Sequence, residues 1–173
     1  MIASMDTSYD YDEKVLFILL LLTRNRKIVQ SFLREISKGF QQIVFHFREL
    51  SAKQKSKVLM GIDEVIEKYK GSLSLIVIKV NVKKGLTLRK RIALENFIYI
   101  ILRGAGVQHF YCPSDLDTKH YKLSTRLKYK LRETEIHTTD NDATIQLADI
   151  LVNWYRKRRK RIEGMISVKT HHC

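Results

Sequence analysis

The chain is 173 residues long and holds two cysteines, seven glycines and one proline. That length suits one domain that buries its own core. Cys112 and Cys173 form neither a disulfide framework nor a zinc-finger spacing, so a reducing, intracellular setting is expected. Thirty-two Lys and Arg against 18 Asp and Glu leave a net charge of +14, which points to a polyanionic partner, nucleic acid before an anionic membrane surface.

Ile2 to Asp6 is a short apolar start ending in an acid. The tract TSYDYDEK, Thr7 to Lys14, reads as a turn, and the opening residues are too acidic and polar for a secretory signal. VLFILLLL, Val15 to Leu22, is eight residues, too short to span a bilayer as a helix. It reads as a strand buried on both faces. No membrane association and a cytoplasmic location are expected. Ile28, Val29, Phe32 and Ile36 recur at helical spacing, with Asn25 as a cap and Gly39 as a stop. IVFHF, Ile43 to Phe47, alternates like a strand.

Ser51 to Gln54 fits a capping box, and Val58, Leu59, Ile62, Val65, Ile66 and Tyr69 form a helical stripe after it. Ser72 to Val82 is the clearest strand, β-branched and bounded by Gly71 and the turn at Lys83 to Gly85. Thr87 caps a helix with Ala93, Leu94, Phe97, Ile98, Ile101 and Leu102 toward the core, and Gly104 stops it. VQHFYC is a short strand, and Cys112 to His120 a loop. YKLSTRLKYKL fits helix or strand. TEIHTT fits a last strand, and Asp140 or Asp142 opens the final helix. Strands alternating with helices predict an α/β domain with a mixed sheet.

No phosphate-binding glycine loop and no nucleophile triad stand out. The histidines, His46, His109, His120, His137, His171 and His172, show no metal-ligand spacing along the chain. The carboxylates are more informative. Asp142, Gln146, Asp149 and Asn153 fall at i, i+4, i+7 and i+11, on one polar stripe of a helix. Seven helical residues rise about 10.5 Å, so Asp142 and Asp149 share an ion only if the chain before Ala143 folds back as a loop. Asp142 also suits an N-cap, and Glu49 a surface position. Asp149 sits among Leu147, Ala148, Ile150 and Leu151, where a carboxylate needs a partner. Hydrolysis of a phosphodiester needs an activated water and a stabilised leaving oxygen. Two Mg²⁺ ions about 3.5–4 Å apart supply both, and carboxylates from different elements are their natural ligands.

The segment Asp140 to Trp154, with its Q-L-A-D-I-L core, resembles the C-terminal Q-L-A-D-L helix motif of a family of small microbial and phage proteins. That family is assigned to the RNase H-like (retroviral integrase-like) nuclease superfamily. Its members open on a strand reading D-E-S-G, for which Met5-Asp6-Thr7-Ser8 is the counterpart here. The Glu of that motif is Thr7 in this chain and its Gly is Tyr9, leaving Asp6 as the acid of the first strand. Glu49 in HFRELS looks like the family's middle acid.

The resemblance implies an α/β, RNase H-like mixed sheet flanked by helices. It would form one domain over residues 1–163, with a short C-terminal tail at 164–173. It implies a nuclease whose catalytic acids are Asp6, Glu49, Asp140, Asp142 and Asp149. Asp6, Asp149 and Asp142 would hold Mg²⁺ or Mn²⁺, and Gln146 would orient a ligand or touch phosphate. The basic run Arg156, Lys157, Arg158, Arg159, Lys160 and Arg161 would grip flanking nucleic-acid backbone. Trp154 and Tyr155 are available to stack on a base or to pack in the core. A non-catalytic nucleic-acid-binding protein on the same fold is the alternative, and an interaction subunit whose charge serves solubility is a third. A homodimer would suit a junction-cleaving enzyme.

Overall fold

The most apolar run of the chain becomes a central strand of a six-stranded mixed sheet. The computed structural model describes all residues except 39, 41–45, 84, 115–116, 119–120, 163–168 and 173, and gives only the backbone of 117–118, 121–122, 159–162 and 169–172. Strands β1 (Ile2–Asp10), β2 (Val15–Thr23) and β3 (Leu73–Asn81) pair antiparallel in succession. β4 (His109–Cys112) joins β1 in parallel, and β7 (Glu135–Thr138) joins β4 in parallel. The order across the sheet is β7-β4-β1-β2-β3-β8, with β8 (Lys169–His172) parallel to β3. A separate hairpin pairs β5 (Asp117–Thr118) with β6 (Tyr121–Lys122).

Helices cover both faces. On one, Phe17, Leu19 and Leu21 of β2 pack with α1 (Arg26–Ile36), α2 (Ala52–Val65) and α5 (Ala143–Ile162). On the other, Ile18, Leu20 and Leu22 pack with α3 (Leu88–Gly104) and α4 (Leu123–Lys130). Successive side chains of a strand point to opposite faces, so a strand covered on both sides must be apolar at every position. That explains the unbroken run at β2.

The local signals for helix starts hold. Asn25 accepts from the Lys27 amide, Ser51 and Gln54 form a reciprocal capping box, and Thr87 accepts from the Lys90 amide. The ambiguous YKLSTRLKYKL resolves into β6 and α4, and α4 docks on α3 through the fully buried Glu95, whose carboxylate pairs with Arg126 at 2.6 Å and Lys130 at 2.5 Å.

One expectation is corrected. Thr7 to Asp10 are strand, not turn; only the residues from Tyr11 to Lys14 turn, with Lys14 at φ 55°. Ser8, one of the polar residues that suggest a turn, has a polar partner instead, as does Ser4 before it. Ser4 Oγ donates to the Thr144 carbonyl at 2.8 Å and Ser8 Oγ to Asn153 Oδ1 at 3.0 Å. The supposed strand at Ile43 to Phe47 lies mostly outside the described residues, as does the supposed stop Gly39, while Phe47 opens a 3-10 turn, Phe47–Glu49. Residues 164–173, expected as a tail, include β8 of the sheet. No helix among the described residues is long and apolar enough to cross a membrane.

Candidate active site

β1 and α5 build the floor of a cleft. The Ser4–Thr144 and Ser8–Asn153 bonds lie at successive levels along both elements, so α5 lies along β1. This sets Asp6, two residues from each serine, against the helix turn that carries Asp149. The loop between β7 and α5 brings Asp140, and the residues after β4 bring Ser114. Ser114 donates to Asp140 from its amide at 3.0 Å and from its hydroxyl at 2.5 Å. The cleft has a volume of about 440 Å³, and Asp6, Asp140, Asp149, His46, Arg48 and Arg156 are among the residues that line it.

Asp149 organises the wall opposite β1. Its Oδ2 accepts from the Phe47 amide at 2.8 Å, and its Oδ1 accepts from Asn153 Nδ2 at 2.9 Å. Phe47 is 3% exposed and belongs to the core beneath α5. This single-turn anchor fixes its two neighbours, His46 and Arg48, at the cleft. Arg156 closes the far end by donating to the Tyr9 carbonyl at 2.9 Å.

Electrostatics separate the two best-placed acids. Burial pushes the Asp149 carboxyl above the usual carboxylate range, against the opposing pull of the Phe47 amide, His46, Arg48 and Asn153. The Ser114 hydroxyl and amide hold Asp140 below that range. The native fold therefore binds a proton at Asp149 at higher pH than the unfolded chain does. Ionised Asp149 costs the metal-free fold stability above that raised pKa, and acidification through it relieves the cost. We expect the metal-free protein to gain stability relative to Asp149→Asn as pH falls through the upper carboxylate range, followed by urea unfolding. A gap between the two proteins that stays constant with pH would contradict this assignment.

The remaining acids do not join the cleft. Asp142 accepts from the Thr144 amide at 2.8 Å and its hydroxyl at 2.6 Å and ion-pairs with Arg26, so the N-cap use prevails. Glu49 is exposed on the 3-10 turn and does not line the cleft, because Phe47 takes the inward position of that turn. Gln146 is 1% exposed, and its amide makes no hydrogen bond among the described residues, so it does not reach phosphate at the surface. Trp154 and Tyr155 are core residues, at 2% and 3% exposure, and Trp154 Nε1 donates to Asp63 at 2.7 Å.

In the basic run, Arg156 turns into the cleft, Lys157 lies 5.7 Å from the Phe47 ring, and Arg158 pairs with Asp63 at 3.4 Å. The side chains of Arg159, Lys160 and Arg161 lie outside the described residues. Lys55 also sits over Phe47, at 5.9 Å. Burial, then Arg156, Lys55 and Arg158, holds the Lys157 ammonium below the usual lysine range. Crowded like charges of this kind are relieved by an anion.

A divalent ion is compatible with the cleft chemistry. The donors are carboxylates from three separate parts of the chain, and a cation would offset the desolvation that raises Asp149. At Asp140 and Asp149 each carboxylate oxygen has a second lone pair beyond its hydrogen bond, and Mg²⁺ keeps several waters. The three acids are not drawn within 4.8 Å of one another as a ligand group; among the described residues that closeness belongs to His109, Glu135 and His137. Linear spacing hid those three, because cross-strand pairing brings them together. The readable signal was the alternation in H-F-Y and E-I-H on two short strands.

No family model and no curated protein matches this chain. Among solved structures, it is similar to a chain in the structure of the PCNA:RNase HII complex from Archaeoglobus fulgidus. The identity is 14%, the match covers 95% of this chain and 76% of that one, and the TM-score is 0.54. The fold is therefore RNase H-like: a mixed α/β sheet flanked by helices.

Proposed function

We propose that the protein is a divalent-metal-dependent nuclease that hydrolyses phosphodiester bonds of DNA or RNA. The observation that carries this reading is the meeting of Asp6, Asp140 and Asp149 in one cleft on an RNase H-like sheet. Asp6, Asp140 and Asp149 would hold Mg²⁺ or Mn²⁺. Such an ion, when bound, supplies an activated water and neutralises charge on the phosphate oxygens.

The chain's own residues do the rest. Arg48 and His46 flank the acids, and the Arg48 guanidinium opposes the phosphate charge that approaches them. Asp149 holds the Phe47 amide, and so holds both flanking residues in place. Arg156 ties the end of β1 to α5 through Tyr9. Tyr11, 80% exposed at the cleft mouth, offers a ring for stacking on a base, a contact that tolerates any sequence. Arg48, Lys55 and Lys157 form a cationic track around Phe47 for the flanking backbone.

This track yields a separate expectation. Arg48→Ala and Lys157→Ala should each weaken nucleic-acid binding across all sequences and reduce the slope of log K against log salt by about 1. Fluorescence anisotropy between low and moderate salt measures it. An unchanged slope in both variants would remove the track from the interface.

The proposal itself is tested by incubating the protein with labelled single-stranded, duplex and branched DNA and with RNA, in Mg²⁺, Mn²⁺ or EDTA. Cleavage that requires metal supports it, and intact substrates throughout overturn it. A second reading, a nucleic-acid-binding protein without catalysis, is favoured by Thr7 beside Asp6 and by the hydrogen bonds already made to Asp140 and Asp149. It predicts salt-sensitive binding that is indifferent to Mg²⁺.

A further inference from the structure

The outer pair of parallel strands carries a second constellation away from the cleft. In the β4–β7 ladder His109 lies opposite Glu135, and Tyr111 opposite His137. The period of two places all four side chains on one face, while Phe110, Cys112 and Ile136 between them enter the core. Three donor atoms converge there. His109 Nδ1 lies 3.2 Å from Glu135 Oε2, His137 Nε2 lies 3.7 Å from the same oxygen, and the two ring nitrogens are 3.5 Å apart. An ion with tetrahedral bonds of roughly 2.0–2.1 Å separates its ligands by about 3.3–3.4 Å. The triangle has nearly the size of one tetrahedral face.

We propose that His109, Glu135 and His137 form a binding site for a late transition-metal ion of the Zn²⁺ class. Two imidazoles and one carboxylate suit Zn²⁺, whereas Mg²⁺ prefers an all-oxygen shell. The fourth position opens to water, since the Glu135 side chain is 64% exposed. The ring of His137 is oriented by stacking on Tyr111 at 4.5 Å, and Tyr111 is in turn covered by the Arg26 guanidinium at 5.4 Å. None of the three ligands lines the carboxylate cleft, so the site does not depend on the nuclease reading. It does sit on the cleft's support. β7 runs on to Asp140 and β4 to Ser114, and an ion bridging the two strands would brace the segments whose ends form the Asp140–Ser114 pair.

The test uses the full chain and Zn²⁺ alone, by equilibrium dialysis with metal analysis. His171, His172 and Cys173 are replaced in a control variant, because that terminus also carries metal-binding groups. The terminal control should keep the ion that the wild type holds most tightly. His109→Ala and His137→Ala should bind at least about tenfold more weakly, with unchanged circular dichroism. Equal zinc in the His137→Ala variant, no zinc in the wild type, or loss of zinc in the terminal control alone would each overturn the site. Co²⁺ added to the terminal control gives a readout that leaves the three ligands intact. Visible bands of a four-coordinate ion, abolished by Zn²⁺, are expected, and their absence would contradict the proposal.

Discussion

Asp149→Asn is expected to lower metal-dependent cleavage by about a thousandfold, since metal stabilisation of the transition state amounts to several kcal/mol and each ~1.36 kcal/mol is a factor of ten. The substitution removes the charge and keeps an oxygen that can still accept the Phe47 amide, which is now met at 2.8 Å. The His46–Glu49 segment should therefore stay docked and the fold intact. Single-turnover rates with matched circular dichroism separate lost chemistry from lost structure. A variant that folds and still cleaves at wild-type rate would remove Asp149 from the site. Asp142→Asn is the informative comparison. Asp142 caps α5 and pairs with Arg26 outside the cleft, so its loss should act on stability, by about 1 kcal/mol, far more than on cleavage.

Phe17→Ala should be among the most destabilising single changes, at about 3–5 kcal/mol. Phe17, near the start of β2, is 0% exposed and meets Tyr155 of α5 edge-on, with ring centroids 6.0 Å apart. Truncation leaves a cavity between sheet and helix that neither rigid layer can close. The helix so loosened is the one that carries Asp149 and Asn153. Stabilities of domains this size are about 5–15 kcal/mol, so the loss takes a large share. Urea unfolding measures it. A cost below about 1 kcal/mol would mean that the β2–α5 packing is not the core contact described, since surface changes fall within that range.

Much of this architecture was readable in the chain. The apolar run of β2, the capping box at Ser51 and the α5 stripe that carries Asp149 each follow from local physics. The sequence pattern nominates Asp6 and Asp149, and both line the cleft. The failures came where long-range pairing overrides local pattern. β1 runs on through polar residues because they pair with β2, and α5 supplies a hydrogen-bond partner for Ser8. Of IVFHF only His46 and Phe47 are described, and Phe47 opens a 3-10 turn held by the Asp149 carboxylate. Asp142 and Asp140 looked equivalent two residues apart; capping turned one to α5 and Ser114 drew the other into the cleft. Glu49 fell on the outer side of its turn. His109, Glu135 and His137 are neighbours only through β4–β7 register, which no linear spacing encodes.

The central claim is that Asp6, Asp140 and Asp149 together hold divalent metal in one cleft. Titration of Mn²⁺ followed by water proton relaxation tests it most directly, in a His109→Ala/His137→Ala background that removes both histidine ligands. Asp6→Asn, Asp140→Asn and Asp149→Asn should each weaken the same binding event, by about tenfold or more. Binding that survives all three substitutions would contradict the account and return these acids to structural roles on a nucleic-acid-binding surface.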